Sequence, residues 1–592
     1  MRLPFIQGRN RYSKTTIAFG GLNMKQSYSE GELCDCNGIS HLSFPAITQR
    51  QKSEVVFRCN SPGEMIFSSE ECIAAEDALY YGRKKVADLL PGKKMLAVLG
   101  EKIAVFPDKI FFDTRTEKVQ DMQGACSTKG ATVTFENNFL SVPSVWENQS
   151  ICVEKHFFRK NEKIITYESA EIKNAKPVFY GFNLKDVSEL SEGLIYLEDC
   201  ESNQYRKVLS VLPDEVGDGY TITNELATVT NAVKDLFSGL KDGDFVEISG
   251  CVSNEENNLS AQIVTIEGNK IIFPDETFSQ CTENSDITVK RKIPDFSCVC
   301  SYGNRLWGCE GNTVYASALG DMTNFFTYRN LSTDSFSVDS NSPGKFTACV
   351  PFGNCCLFFK ENSCYKLYGN KPSNFTLTET YGGGISPEDK KSLVYINGKV
   401  IYKGNGGVYV CYGGTPRNIS GKLEGIIMKN AACGSDGKRF YISADVNGKR
   451  EEFVWDMEKE LWSKSGVADV IGYSYFGGIM YRMLPYGVEK ILEEPDGNAS
   501  WSITLCPFDE NYHKTKNYSR LYVRAGLFEN ASITVEVSCD EGMWKEVYSG
   551  YSDRKKYIDI PCVIKSCHSV KLRISGKGKC VLESVTREFS IN

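Results

Sequence analysis

The chain has 592 residues, 41% of them hydrophobic and 24% charged, with a formal net charge of −7. At about 100–200 residues per domain this length excludes a single core, and the composition excludes a chain too polar to bury one. The mild acidity excludes a basic domain that grips nucleic-acid phosphates without regard to sequence.

With 30 Tyr, 33 Phe and 51 Gly, the residue usage favours short strands joined by tight turns over long helices, so the expected fold class is all-β. The N-terminus carries no apolar segment of signal-peptide length, and no run of about 18 apolar residues could span a bilayer. Synthesis and folding in the cytoplasm, without stable membrane insertion, are therefore expected. The 23 cysteines form no C-x-x-C pair. The closest groupings (Cys34/Cys36, Cys298/Cys300, Cys355/Cys356) have no His at zinc-site spacing, so they read as small buried hydrophobes.

In chain order, the first clear element is Lys94–Phe106, two apolar runs around a Gly-containing turn, the pattern of a hairpin. With a partner near 55–68 it makes the opening blades of a propeller, within a first segment placed at 1–150. Between 151 and 290 the rhythm breaks. Residues 229–240 read as helical or irregular. The alternating runs 240–250, 257–266 and 270–273, with Asp-Gly and Asn-Asn turns, describe an inserted small β-barrel-like domain.

Hairpins then return at 304–317, 355–368, 399–410, 439–456 and from 473, starting about 35–50 residues apart. That spacing suits β-propeller blades, so 291–500 holds the remaining blades, six or seven in all. Glycine-rich stretches at 381–386 and 404–407 read as turns. From 501 to 592, five clean alternating runs, the turn Asp540-Glu541-Gly542 and Trp544 as a core candidate describe a C-terminal β-sandwich.

A search for chemistry comes back empty. His568 follows Cys567, but neighbours on a strand point to opposite faces and cannot form a dyad. Glu451/Glu452 and Glu493/Glu494 lack the separation of a glycosidase pair and read as solvated strand ends. Ser538-Cys-Asp-Glu-Gly-Met-Trp544 approaches a sialidase Asp-box but is one residue short. No metal, cofactor or catalytic residue is assigned, and the chain is expected not to be an enzyme.

Two passages carry a resemblance. The first runs Phe19-Gly20-Gly21-Leu-Asn23, Gly31 to Asn37, and Phe44-Pro45 to Arg50, with Gln51 standing where Pro often follows. The second is Arg305-Leu-Trp307 to Phe325, containing Ser317-x-x-Gly320-Asp321-x-x-Asn324-Phe325. Both resemble the tail nozzle proteins of short-tailed bacteriophages (tail tubular protein B) and the related phage "stabilisation protein" family. In the resemblance the motif residues Gly20, Gly21, Asn37, Pro45, Arg50, Trp307, Ser317, Gly320, Asp321, Asn324 and Phe325 are structural, with Gly320-Asp321 making a turn and Phe325 anchoring it.

The resemblance implies a virion protein of the tail, a homo-oligomeric ring, commonly a hexamer, held by the portal, adaptor and other tail proteins. Genomic DNA would pass its channel without sequence-specific binding. The alternative is a carbohydrate-binding, receptor-binding propeller of the tail, for which Tyr and Trp would supply stacking platforms.

Overall fold

A computed structural model describes residues 10–592 except 129–130, 143–146, 160–164, 174–175, 184–194, 200–203, 214–218, 231–235 and 381–382; within 147–230 and at 555 it describes backbone alone. The chain divides into two compact units. The first comprises 1–120, 294–322 and 330–592; the second comprises 121–293 and 323–329. Both are built of antiparallel sheets, and among the described residues the helical turns are three-residue 3₁₀ turns. No helix there is long and apolar enough to cross a membrane.

The first unit contains a seven-bladed propeller of four-stranded sheets. Blade 1 runs from Glu64–Phe67 to Lys84–Asp88, and blade 2 from Met95–Leu99 to Lys118–Asp121. Blades 3 to 6 begin at Cys298–Tyr302, Phe346–Phe352, Leu393–Ile396 and Lys429–Ser435. Blade 7 begins at Gly472–Phe476, and its first strand lies against that of blade 1, which closes the circle. Each hairpin read from the sequence supplies two neighbouring strands of one blade. The alternation that revealed them also fills the space between blades: Trp307, Phe346, Cys356, Phe358 and Tyr365 form one such layer between blades 3 and 4.

The circle is locked by a strand from far upstream. Gln51–Phe57 pairs antiparallel with Gly487–Pro495 as the outer strand of blade 7. The Ser53 hydroxyl donates to Glu489 at 2.7 Å, and the Gln51 amide donates to the Leu492 carbonyl at 3.0 Å.

The C-terminal β-sandwich has two five- to six-stranded sheets. One is built on Lys516–Leu527, Lys555–Cys567 and Cys580–Ile591, the other on Ser500–Phe508, Ala531–Cys539, Lys545–Ser552 and Val570–Lys577. The N-terminal segment, grouped with the first blades in the expected 1–150 division, pairs with the sandwich. Arg11–Thr16 pairs with Cys580–Ile591, Leu33–Asn37 pairs with Ser500–Phe508, and Ile47–Gln49 joins the first sheet. The physical reason is burial: Phe19, Leu22, Leu33, Cys36, Ile39 and Ile47 share one continuous core with the sandwich and blades 5 and 6. Trp544, a core candidate, is half-buried instead and stacks beneath the Arg573 guanidinium at 4.0 Å.

In the second unit, two small sheets enclose a core of Val133, Phe135, Leu140, Val246, Ile248, Phe273 and Val289. Arg291 donates to Asp244 at 2.6 Å with both side chains buried. A six-stranded sheet spans Glu147–Arg159 to Gly219–Thr230. This unit begins at 121 rather than 151, because 126–127 and 133–141 pair with strands after 245. Val229, expected in an irregular segment, lies in the strand Gly219–Thr230; residues 231–235 of that segment lie outside the described residues, and 236–239 form a turn. Of the glycine-rich stretches, Gly407 takes φ +134°, while Gly384 packs against the backbone of Glu361; Tyr381 and Gly382 lie outside the described residues.

Candidate functional site

Strands that converge on a propeller axis leave a cavity where their first residues meet. Here that cavity measures about 220 Å³ and is lined from all seven blades, by Glu64, Met95, Val299, Ala348, Leu393, Cys433 and Tyr473 among others. It shares Gly63, Lys390 and Lys391 with a wider mouth of about 380 Å³, lined also by Glu76, Lys93, Glu388 and Arg450.

Titratable groups dominate this space. Burial pushes the Glu64 carboxyl up to about 7, partly opposed by Lys391 and by the Leu96 N–H, which donates to it at 3.1 Å. Burial likewise lowers Lys390 and Lys391 below the usual lysine range, and mutual repulsion with Lys93 adds to it. Lys391 donates to the Gly63 carbonyl. Arg450 is held by Asp445 at 3.1 Å and by the Asn430 carbonyl at 3.0 Å. A carboxyl that keeps its proton to neutral pH beside several ammonium groups can donate a hydrogen bond or a proton to a bound molecule. The sequence search missed Glu64 because Pro62-Gly63-Glu64 carries no motif; the ring of blades creates its environment.

The motif residues lie elsewhere. The Gly20 N–H donates to the Gly31 carbonyl at 2.8 Å, and the Gly20 carbonyl lies 3.1 Å from His41 Nε2. A Cβ on Gly21 would stand 2.7 Å from the Trp462 nitrogen, so only glycine lets this segment lie against the last strand of blade 6. Pro45 accepts from the Phe19 N–H at 3.0 Å. Arg50 donates to the Gly466 carbonyl at 3.0 Å and reaches Asp496 at 3.4 Å. Asn37 is exposed, its Oδ1 close to Gly466.

In blade 3, Trp307 and Ser317 are fully buried. The Trp307 indole donates to the Tyr302 carbonyl at 2.9 Å, and the Ser317 hydroxyl accepts from the Leu306 N–H at 3.0 Å. Gly320, at φ +74°, donates to the Asn304 carbonyl at 2.9 Å, and Asp321 bridges back to Ala318. Asn324 and Phe325 already belong to the second unit, where Asn324 donates to the Thr327 hydroxyl at 2.7 Å and Phe325 is buried. Among the lining residues of the axial cavity and its mouth, none comes from either motif.

Other candidates resolve as structural. Glu452, expected at a solvated strand end, is fully buried instead. It accepts from Arg482 at 2.7 and 2.6 Å and from the Tyr473 hydroxyl at 2.8 Å, because its strand packs against blade 7. Glu493 accepts from Arg439 at 2.8 Å. The near Asp-box is a turn: Ser538 donates to the Gly542 carbonyl at 2.7 Å, and Asp540 accepts from the His568 and Ser569 N–H groups. The cysteines among the described residues are free and mostly buried, with Cys300 and Cys356 sulfurs 3.4 Å apart across blades 3 and 4.

No protein-family model matches the chain, and no curated protein matches it. Solved structures do. An exo-β-1,3-galactanase from Phanerochaete chrysosporium, crystallised with galactose, is 9% identical, with 50% of this chain and 96% of that one covered and a TM-score of 0.22. A putative TolB from Agrobacterium tumefaciens is 16% identical, covering 40% of this chain and 93% of that one, at a TM-score of 0.18. PorZ, a bacterial surface component of the type-IX secretion system of Porphyromonas gingivalis, is 8% identical over 90% of this chain and 77% of that one, at 0.23.

These matches correct the expectation that the chain is not an enzyme: glycoside hydrolases stand among its structural neighbours, and that exclusion is withdrawn. At such TM-scores the likeness assigns no activity to this chain.

Proposed function

We propose that the chain is a structural protein of a bacteriophage tail, of the nozzle kind, forming a homo-oligomeric ring, commonly hexameric in that family. The genome would leave through its channel, and other tail parts, the portal and adaptor among them, would attach to it. One observation carries the reading: the residues of both motifs sit at joints rather than at a cavity. Gly20, Gly21, Pro45 and Arg50 fasten the N-terminal segment among the sandwich and blades 6 and 7, and Ser317 and Gly320 are bonded to Leu306 and Asn304 within blade 3.

The test is electron microscopy of the purified full chain together with its native mass, alone and with its adaptor. A closed ring with an axial channel is expected. A monomer under both conditions would sink the reading.

The axial cavity supports a second reading, a carbohydrate-binding or carbohydrate-cleaving propeller of the tail, because Glu64, which lines it, is pushed by burial to hold a proton near neutral pH. Glycan-array binding or sugar release that disappears in Glu64→Gln would favour it; an empty array with no released sugar would count against it.

A further inference from the structure

A thiol buried by itself resists ionisation: burial pushes Cys36 and Cys72 up to about 12. Between blades 3 and 4 the thiols have one another for company. Cys298 and Cys300 share one face of the first strand of blade 3, and Cys309 stands opposite Cys298 in the register. Cys349 and Cys356 come from the first two strands of blade 4 and pack into the same layer. Cys298 is in hydrogen-bond contact with Cys309 and Cys349, and Cys300 with Cys349 and Cys356. The Cys300 and Cys356 sulfurs lie 3.4 Å apart. Sulfur therefore follows sulfur across the seam in the order Cys309, Cys298, Cys349, Cys300, Cys356. Two of them, Cys298 and Cys349, also line the axial cavity of about 220 Å³, which shares Gly63, Lys390 and Lys391 with its wider mouth.

We propose that Cys298 and Cys349 form a peroxide-reactive thiol pair, at which a small hydroperoxide entering the axial cavity joins blade 3 to blade 4 through a disulfide. Hydrogen bonds from Cys309 and Cys349 hold the Cys298 thiol well below its ordinary range against the opposing effect of burial, and Lys390 on the cavity wall adds to this. The thiolate is the nucleophile. It attacks one oxygen of the peroxide and the O–O bond breaks. Cys298 becomes a sulfenic acid, and the departing hydroxide takes up the proton that Cys298 released, leaving as water. The Cys349 sulfur then attacks the Cys298 sulfur, the S–O bond breaks, and a second water leaves with the Cys349 proton. Two thiols are thereby oxidised to one disulfide while one peroxide is reduced to two waters. Thiol–disulfide exchange through Cys300 passes the bond on to Cys356, which keeps it across the same seam. A neutral oxidant the size of water suits a cavity of about 220 Å³, whereas a peptide disulfide such as oxidised glutathione is too bulky for it. The inference rests on neither reading of function given above.

The experiment treats the full chain with hydrogen peroxide, alkylates the remaining thiols and maps the tryptic peptides by mass. Cys298 and Cys300 fall in peptide 293–305, Cys309 in 306–329, and Cys349 and Cys356 in 346–360. Expected is a link between 293–305 and 346–360, lighter than their sum by two hydrogens and removed by dithiothreitol. Cys34 also contacts a second thiol, Cys506, so the linked peptide is the readout and not the thiol count. Cys349→Ser should abolish the link, Cys356→Ser should retain it, and oxidised glutathione should not produce it. Cys298→Ser should abolish it and leave Cys349 a free thiol. The parent's own map decides if a serine variant fails to fold. The proposal is overturned if peroxide leaves the two peptides unlinked, or if 293–305 joins 306–329 within blade 3 instead. Loss of the link in Cys356→Ser but not in Cys349→Ser overturns the pairing. Oxidation of Cys349 in Cys298→Ser overturns the order of attack, and equal linking by oxidised glutathione overturns entry through the cavity.

Discussion

Glu452 and Arg482 illustrate how little a residue's chemistry is fixed by its neighbours in sequence. Glu451 and Glu452 are adjacent acids near the start of a strand, yet Glu452 is sealed between blades 6 and 7 with a guanidinium on it. Removing one partner strands the other charge, which costs about 3–5 kcal/mol. Arg482→Met should therefore lower stability by that order in chemical denaturation, and Glu452→Gln/Arg482→Met should recover much of it; equal losses in single and double variants would refute the pairing. Glu64 makes a different prediction. Its folded pKa, about 7, exceeds its ordinary value of 4.5, so the folded state holds the proton more tightly. That contribution is complete below about 4.5 and is lost as pH rises to about 7, leaving a penalty of order 2 kcal/mol once cavity water is allowed for. Glu64→Gln should match the parent at pH 4 and exceed it at pH 8, measured by urea unfolding at both; identical pH profiles would remove Glu64 from the role given to it. Neither residue was legible beforehand, because burial by a blade hundreds of residues away leaves no local trace.

At the level of elements, the hairpins were legible and the long-range pairings were not. Each hairpin announces itself through two alternating runs and a turn, as at Asn304 with φ +55° and Asn447 with φ +49°. Gln51–Phe57, by contrast, reads as an ordinary short strand, and nothing in it names Gly487–Pro495 as its partner. The same holds for residues 11–49, whose apolar positions fit a sandwich as well as a blade. Gly20-Gly21 was marked only through the resemblance, and its physical basis is the contact with Trp462. Gly21→Ala should cost about 1–3 kcal/mol by forcing that contact apart. Its thermal midpoint should fall, while an alanine at Gly303, where a Cβ meets nothing within 4 Å, should pay only the backbone strain of φ +60°. Equal shifts would show that the close approach at Trp462 does not matter.

For the whole molecule, continuity of chain and continuity of structure part company. Blades 1 and 2 are separated from blade 3 by residues 121–293 of the second unit, yet blade 2 stands beside blade 3 in one circle. Residues 1–293 and 294–592 co-expressed as two chains should consequently migrate together natively and separate only in detergent; dissociation on native gels would mean that the circle does not hold itself. The overall plan of propeller, insertion and sandwich followed from rhythm alone, whereas its closure did not. That closure also orders events on the ribosome. The strand that completes blade 7 is made first, but the side chain it reaches, Glu489, lies 436 residues later. At about 5–20 residues per second, roughly 20–90 s pass before the partner emerges. For that interval the nascent chain carries an unpaired edge and an unfinished sandwich, a window in which a neighbouring polypeptide could take the partner's place, so the abundance of chaperones during synthesis should govern yield more than the stability of the finished fold does.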